Sequence, residues 1–385
     1  MTSLLSSHSA HKRAAVSLAV CLLATAAVLT PPSCSAQPNW TLGHFTRPID
    51  APILTPNPRA VFFDPIRHTL VHWEATSTFN PAAIVRNGKV YVLYRAEDNT
   101  GKDAIGMHTS RLGLAWSTDG IHFTRRATPV FYPANDAQKS REWPGGVEDP
   151  RITEGPHGTY YLTYTQWNRK ATSIGLATSK DLLHWKKYGP IFPHTLGPAF
   201  RSYKSGGILT HLVHGHLIAA RIHNKYWMYW GEKQVHLAWS RDLIHWTPVM
   251  NKRGHALVLL KRRPGLFDSG FPEMGPPPVL TSKGIVVIYN ARNALKDGDP
   301  ALGPGAYSDG QALFSASDPA KLLARTTRPF FYPERAFEKT GQYGAGTTFA
   351  EGLVYFKHRW FLYYGCADSR VGVAVSQPSR APAGK

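Results

Sequence analysis

Cysteine is almost absent: three residues in 385, and only Cys366 lies beyond residue 36. A chain left with one thiol forms no internal disulfide and offers no thiolate cage for zinc or an iron–sulfur cluster. Cys366 is expected to pack as a small apolar residue. After residue 36 no apolar run approaches the ~18 residues that a spanning helix needs. Acid is scarce as well, with 25 Asp and Glu against 44 Lys and Arg, a net charge of +19. Such a surplus invites a nucleic-acid reading. The cations are scattered, however, and the longest run is Lys261-Arg262-Arg263. No nucleic-acid partner is expected, and the surplus reads as a surface property. Thirty prolines and thirty-three glycines leave little room for long helices.

What is present begins with a leader. Lys12 and Arg13 precede an apolar run from Ala14 to Leu29, a Pro31-Pro32 break, and Cys34-Ser35-Ala36. A basic stretch, a short apolar stretch and small residues at a cleavage point make residues 1–36 a signal peptide. Residues 37–385 then form a single domain, secreted or periplasmic. Lipid anchoring at Cys34 is the alternative, and Pro31, Pro32 and Ser33 suit it poorly.

One phrase recurs three times, at intervals of 62 and 61 residues: Ser-Thr-Asp-Gly-Ile-His-Phe from Ser117, Ser-Lys-Asp-Leu-Leu-His-Trp from Ser179, and Ser-Arg-Asp-Leu-Ile-His-Trp from Ser240. Around each lie short runs of β-branched and aromatic residues bounded by Gly, Asp, Asn or Lys, which read as strands. Two degenerate copies, around Ser317 and Ser376, bring the count to five units of about 60 residues. A repeat of that length predicts an all-β, five-bladed β-propeller. The phrase itself is structural: its Asp suits a tight turn, and Trp185 and Trp246 are expected to be buried between blades. His122, His184 and His245 occupy the same outer place on different blades, so no metal site is expected.

Function should sit where equivalent inner positions differ in charge. The stretches before each first strand do so: Phe79-Asn80-Pro81, Glu148-Asp149-Pro150-Arg151, Tyr203-Lys204-Ser205-Gly206, Pro272-Glu273-Met274, and Gly344–Thr348 in the fifth copy. The ends of the second strands add Arg95, Asp98, Glu232 and Asp368. Acids facing one another across an axial pocket are what cleavage of a glycosidic bond requires. Arg95, Arg151 and Lys204 are either ion-pair partners of those acids or ligands for sugar and phosphate.

Several of these segments resemble glycoside hydrolase family 130, the β-mannoside phosphorylases and β-1,2-mannosidases. They are Gly145-Gly146-Val147-Glu148-Asp149-Pro150-Arg151-Ile152, Tyr94-Arg95-Ala96-Glu97-Asp98, Lys204-Ser205-Gly206, Tyr229-Trp230-Gly231-Glu232, Glu273-Met274-Gly275-Pro276-Pro277 and Tyr364-Gly365-Cys366-Ala367-Asp368-Ser369. The likeness spans roughly residues 75–376. It implies a five-bladed propeller without cofactor, and an inverting enzyme acting on a mannose-containing oligosaccharide. It implies Asp149 as the proton donor, in the phosphorylases through a sugar hydroxyl. Glu232 and Glu273 resemble the two glutamates that activate water in the hydrolytic branch. Asn80, Arg95, Asp98, Arg151, Lys204 and Asp368 are expected to bind substrate. Hydrolysis of β-1,2-linked mannosides is the leading expectation, since export makes a sugar phosphate of little use. Phosphorolysis to mannose 1-phosphate is the alternative, and a non-catalytic glycan-binding propeller is a third.

Overall fold

The computed structural model describes residues 38–377 apart from 194–196, 198–199 and 201. The signal-peptide and Cys34 expectations therefore lie outside the described residues. The chain is all-β: helical turns are limited to short pieces such as Lys139–Glu142.

Five antiparallel meanders follow one another. The first runs Ser77–Arg86, Lys89–Glu97, Ser110–Ser117 and Thr124–Arg125. The second runs Gly146–Glu154, Tyr160–Trp167, Thr172–Ser179 and Lys186–Pro190. The third runs Gly206–Ile208, Lys225–Trp230, Val235–Ser240 and Trp246–Pro248. The fourth has a split first strand, Phe271–Met274 and Val279–Thr281, then Gly284–Arg292, Tyr307–Phe314 and Leu322–Arg325. The fifth runs Thr348–Phe356, Arg359–Cys366 and Arg370–Ser376, and its fourth strand is Phe45–Thr46 from the other end of the chain.

Both faces of each meander are apolar, so each must be covered by a neighbour. Five cores result, each between successive meanders, and one joins the fifth to the first. In that last core Tyr94 and Val92 meet Tyr363 and Val373. Cys366 packs among Leu362, Tyr364 and Ala374, as a small apolar residue would.

The repeated phrase forms the same turn three times, after the third strands of the first three meanders. Asp119, Asp181 and Asp242 each accept two backbone N–H bonds at 2.8–2.9 Å with one carboxylate oxygen. The other oxygen holds His122, His184 or His245 at 2.7 Å. The serine hydroxyl receives the next two amides. The fourth residue of the phrase has a positive φ each time, 83° at Gly120, 69° at Leu182 and 68° at Leu243. Glycine is free there, whereas the two leucines are held by burial of their side chains. Both tryptophans of the phrase are largely covered: Trp246 is buried, and Trp185 packs on the core between the first two meanders, half-buried beside a surface cavity lined by Phe131 and Lys187.

Candidate active site

Asn80, Asp149 and Glu273 do not precede the first strands but lie inside them, whereas Lys204 does come before its strand, Gly206–Ile208. Ladder register breaks between Phe79 and Pro81, between Glu148 and Arg151, and between Ala350 and Gly352. A bulge leaves its extra residue out of the ladder and re-aims the side chain. The residues so released are Asn80, Asp149 and Glu351, and the first two carry positive φ, 44° and 46°. Non-glycine residues pay strain for that conformation and hold it only where surroundings force it. Those surroundings are visible at Gly365, where a Cβ would fall 2.1 Å from Asn80 Oδ1.

Asn80 donates its amide N–H to Asp149 Oδ1 at 2.9 Å. Arg95 reaches the same oxygen at 3.1 Å and also meets Glu97 at 2.7 Å and Glu148 at 2.9 Å. Three carboxylates thus share one buried guanidinium. A second cation, Lys204, lies 3.7 Å from Asp149, 3.6 Å from Glu232 and 3.1 Å from Glu273. Glu232 and Glu273 are brought side by side by a backbone bridge, with Met274 N–H donating to Gly231 O at 3.0 Å. Ser205 donates to Glu273 at 2.5 Å. Because one ammonium reaches all three acids, Asp149 and either glutamate cannot be more than about 7 Å apart. That ceiling overlaps only the short end of the roughly 6.5–9.5 Å spacing that admits a water between acid and base.

The acids differ sharply in charge. Burial alone would raise the Asp149 carboxyl, but Arg95, Lys204 and Arg151 outweigh it and hold the group below the ordinary range. Burial, with the charges of Asp149 and Glu97, pushes Glu148 up to about 7 despite Arg95. Burial, together with Glu232, pushes Glu273 up to about 7 despite Lys204. Asp368, half-buried, is raised to about 6 by burial and by Asp149 and Glu97. These shifts favour the charge on Asp149 and protons on Glu148, Glu273 and Asp368.

Two expected ligands have other duties. Asp98 accepts from Arg111 at 2.8 Å and from the Thr100 and Thr109 amides at 3.0 and 3.2 Å, so its carboxylate is spent on its own loop. Arg151 is fully buried, donates to the carbonyls of Asp149, Met274 and Gly275, and lies 3.0 Å from a carboxyl oxygen of Glu351. It ties three meanders together from a buried position. Glu351 escaped the sequence reading, which placed the fifth copy's polar stretch at Gly344–Thr348 and its strand from Gly352. The signal was there: Asn80-Pro81, Asp149-Pro150 and Glu351-Gly352 each set a polar residue before a ladder-breaker inside an apolar run.

Two unpaired acceptors lie within the cluster. Asn80 Oδ1 and Glu273 Oε2 are buried and find no hydrogen-bond partner among the described residues. Buried acceptors are normally satisfied. A cavity of about 820 Å³ opens at Lys204 and Glu232, walled by Tyr203, Trp230 and Phe271. Its size suits an oligosaccharide fragment.

Comparison with known proteins gives this geometry a context. A family model described as β-1,4-mannooligosaccharide phosphorylase, glycoside hydrolase family 130, matches residues 57–379. A 1,2-β-oligomannan phosphorylase of Thermoanaerobacter sp. (strain X514) is 32% identical over 79% of this chain and 90% of its own. A glycosyl hydrolase from Bacteroides ovatus superposes with a TM-score of 0.87 at 50% identity, over 90% of this chain and 96% of that one. A further structure, at 49% identity and TM-score 0.87 over 91% and 98%, is described as showing that this family of mannoside phosphorylases contains glycoside hydrolases that target β-1,2 mannosidic linkages in Candida mannan. Matched across most of its length and carrying the acids and cations of the likeness in one cluster, the chain belongs to glycoside hydrolase family 130.

Proposed function

We propose that this protein is an inverting enzyme that cleaves β-1,2-linked mannosides, with the five meanders set about one axis as a five-bladed propeller. Packing of the fifth meander on the first, and its completion by Phe45–Thr46, support the propeller. The observation that carries the activity is the meeting of Asp149, Glu232 and Glu273 on one ammonium, Lys204, beside buried acceptors left open for hydroxyl donors.

In this reading the mannosyl ring lies against Asn80, Arg95, Asp149 and Asp368. Asp149 supplies the proton to the departing oxygen, directly or through a sugar hydroxyl. Its cations favour the ionised form, so it must first take a proton from Glu148 or Asp368. A sugar hydroxyl that draws on Arg95 or Lys204 weakens their hold and makes that transfer easier. On the opposite face Glu273, pushed up to about 7 by burial and by Glu232, stands beside Glu232, and the pair is placed to take a proton from water. Lys204 fixes their orientation and balances their charge.

Phosphate is the competing acceptor, and the curated relatives favour it, since each is described as a phosphorylase. Against it stand Glu232 and Glu273: two carboxylates beside the only ammonium of the centre repel a phosphate dianion. For that reason we place water first. Export belongs to the same proposal and rests on the sequence of residues 12–36 alone.

Reducing-sugar release from β-1,2-mannobiose by the wild type and by Asp149→Asn tests the activity. Release that drops by ~10²-fold or more in the variant supports it. An inert wild type, or a fully active variant, would remove it.

A further inference from the structure

The cavity beside Lys204 is basic at its mouth. Lys233, Lys261 and Arg262 are exposed there, and Glu232 is the only acid among its lining residues. Glu232 already faces Lys204 at 3.6 Å, so the three outer charges have no counterpart inside the cavity. None of the undescribed residues between 194 and 201 is an acid. Part of the surplus thus sits where a ligand must enter.

Its placement is fixed by the backbone. Lys233 holds a positive φ of 68° directly after Glu232, so the turn that aims Glu232 inward turns Lys233 toward the mouth. Lys261 and Arg262 follow Val258–Leu260, a short strand paired with Val235 and His236 at the start of the next strand. Between mouth and reacting centre stands an aromatic wall. Trp230 packs on His236 at 4.6 Å, and its buried indole N–H has no hydrogen-bond partner among the described residues. Aromatic faces and a spare N–H suit a sugar ring, whereas three cations exceed what a neutral sugar can use. A single carboxylate would satisfy one of them. A phosphoryl group, with more than one charge and several acceptor oxygens, matches an Arg fork flanked by two lysines.

We propose that this mouth is a subsite for a phosphoryl group carried by the substrate glycan, a few ångströms outside the centre that breaks the bond. The proposal rests on the mannoside reading for the sugar but not for the anion. The same cations draw acidic glycans toward the cavity, so the preference weakens with salt.

Calorimetric titration with mannose, inorganic phosphate and mannose 6-phosphate separates the sources. Mannose 6-phosphate should bind on the order of ten-fold more tightly than either fragment at low salt, as a few exposed charge pairs allow. In the triple variant Lys233→Gln, Lys261→Gln, Arg262→Gln that advantage should vanish; because all three side chains are exposed, the melting temperature should stay within a degree or two of wild type. In turnover, the wild type should prefer 6-phosphorylated β-1,2-mannobiose over the neutral sugar, with the gain in KM, and the triple variant should show no preference. Equal binding of mannose and mannose 6-phosphate, or a preference that survives the triple substitution, overturns the subsite. Inorganic phosphate that binds as tightly as mannose 6-phosphate and yields mannose 1-phosphate overturns the glycan-borne source, since the mouth would then serve the acceptor. Retained preference in binding with no cleavage of either mannobiose leaves the subsite standing and removes the mannoside reading instead.

Discussion

Asp149 is held in a strained backbone conformation, inside a broken ladder, between two cations. A residue needed only to satisfy a loop amide requires none of that. Asp149→Asn keeps the shape and the Asn80 and Arg95 contacts in reach, so its melting temperature should fall little while kcat falls by ~10²-fold or more. Glu351 makes a different case. Burial, with Asp149 and Glu273 nearby, raises its carboxyl well above the usual range despite Arg151, so it stands neutral beside the Arg151 strut. Glu351→Gln copies the neutral acid and should leave stability nearly unchanged. Glu351→Ala removes the buried acid that faces Arg151 at 3.0 Å and leaves a buried donor without its neighbour, so it should cost about 1–3 kcal/mol. Thermal melts of the two variants decide it: equal losses would mean that Glu351 is ionised.

At the scale of elements, Trp246 is buried and Trp185 half-buried, although the phrases that contain them are nearly the same. Trp246→Ala should cost about 3–5 kcal/mol as a core truncation, and Trp185→Ala clearly less, read by denaturant unfolding. Asp181→Ala removes the carboxylate oxygen that accepts from the Leu183 and His184 amides and should cost about 1–2 kcal/mol, as loss of a helix N-cap does. The turns were legible in the sequence because a Ser-x-Asp phrase satisfies its own backbone locally, whatever lies around it. The strands were legible in their apolar halves: Ala82–Val85 and Pro150–Thr153 are the outer portions of Ser77–Arg86 and Gly146–Glu154. Their inner halves read as loops because Asn80-Pro81 and Asp149-Pro150 carry poor strand formers, and only tertiary packing forces them into the sheet. Glu351 was lost for the same reason. Asp98 looked like a ligand because chain position reveals neither Arg111 nor the two loop amides that consume it.

For the whole molecule, the site trades stability for chemistry. Glu148 and Glu273, raised to about 7, and Asp368, raised to about 6, bind protons more tightly folded than unfolded. Their protonated forms favour the fold, so stability should fall as pH rises from the ordinary carboxylate range through about 7. The turn aspartates act with the opposite sign: burial pushes each one up, but the hydrogen bonds from the histidine, the turn amides and the serine together outweigh it and hold them below the ordinary carboxylate range. Their contribution is lost only in stronger acid. Melting temperature should therefore peak on the acid side of neutrality, and Glu148→Gln should flatten the decline above it. A melting curve that is flat from pH 5 to 8 in the wild type would show that these carboxyls are not shifted.

The five cores between successive meanders, and the fifth meander's borrowed strand, bring residues from positions 80 to 368 to one cluster. The decisive question is what that cluster transfers the mannosyl group to. Proton NMR of β-1,2-mannobiose incubated with the enzyme in phosphate buffer answers it. Glu232 and Glu273 beside Lys204 predict that α-mannose appears first, the inverted product, with no signal from mannose 1-phosphate and no rate gain from added phosphate. Accumulating α-mannose 1-phosphate would contradict water as the acceptor, and β-mannose appearing first would contradict inversion itself.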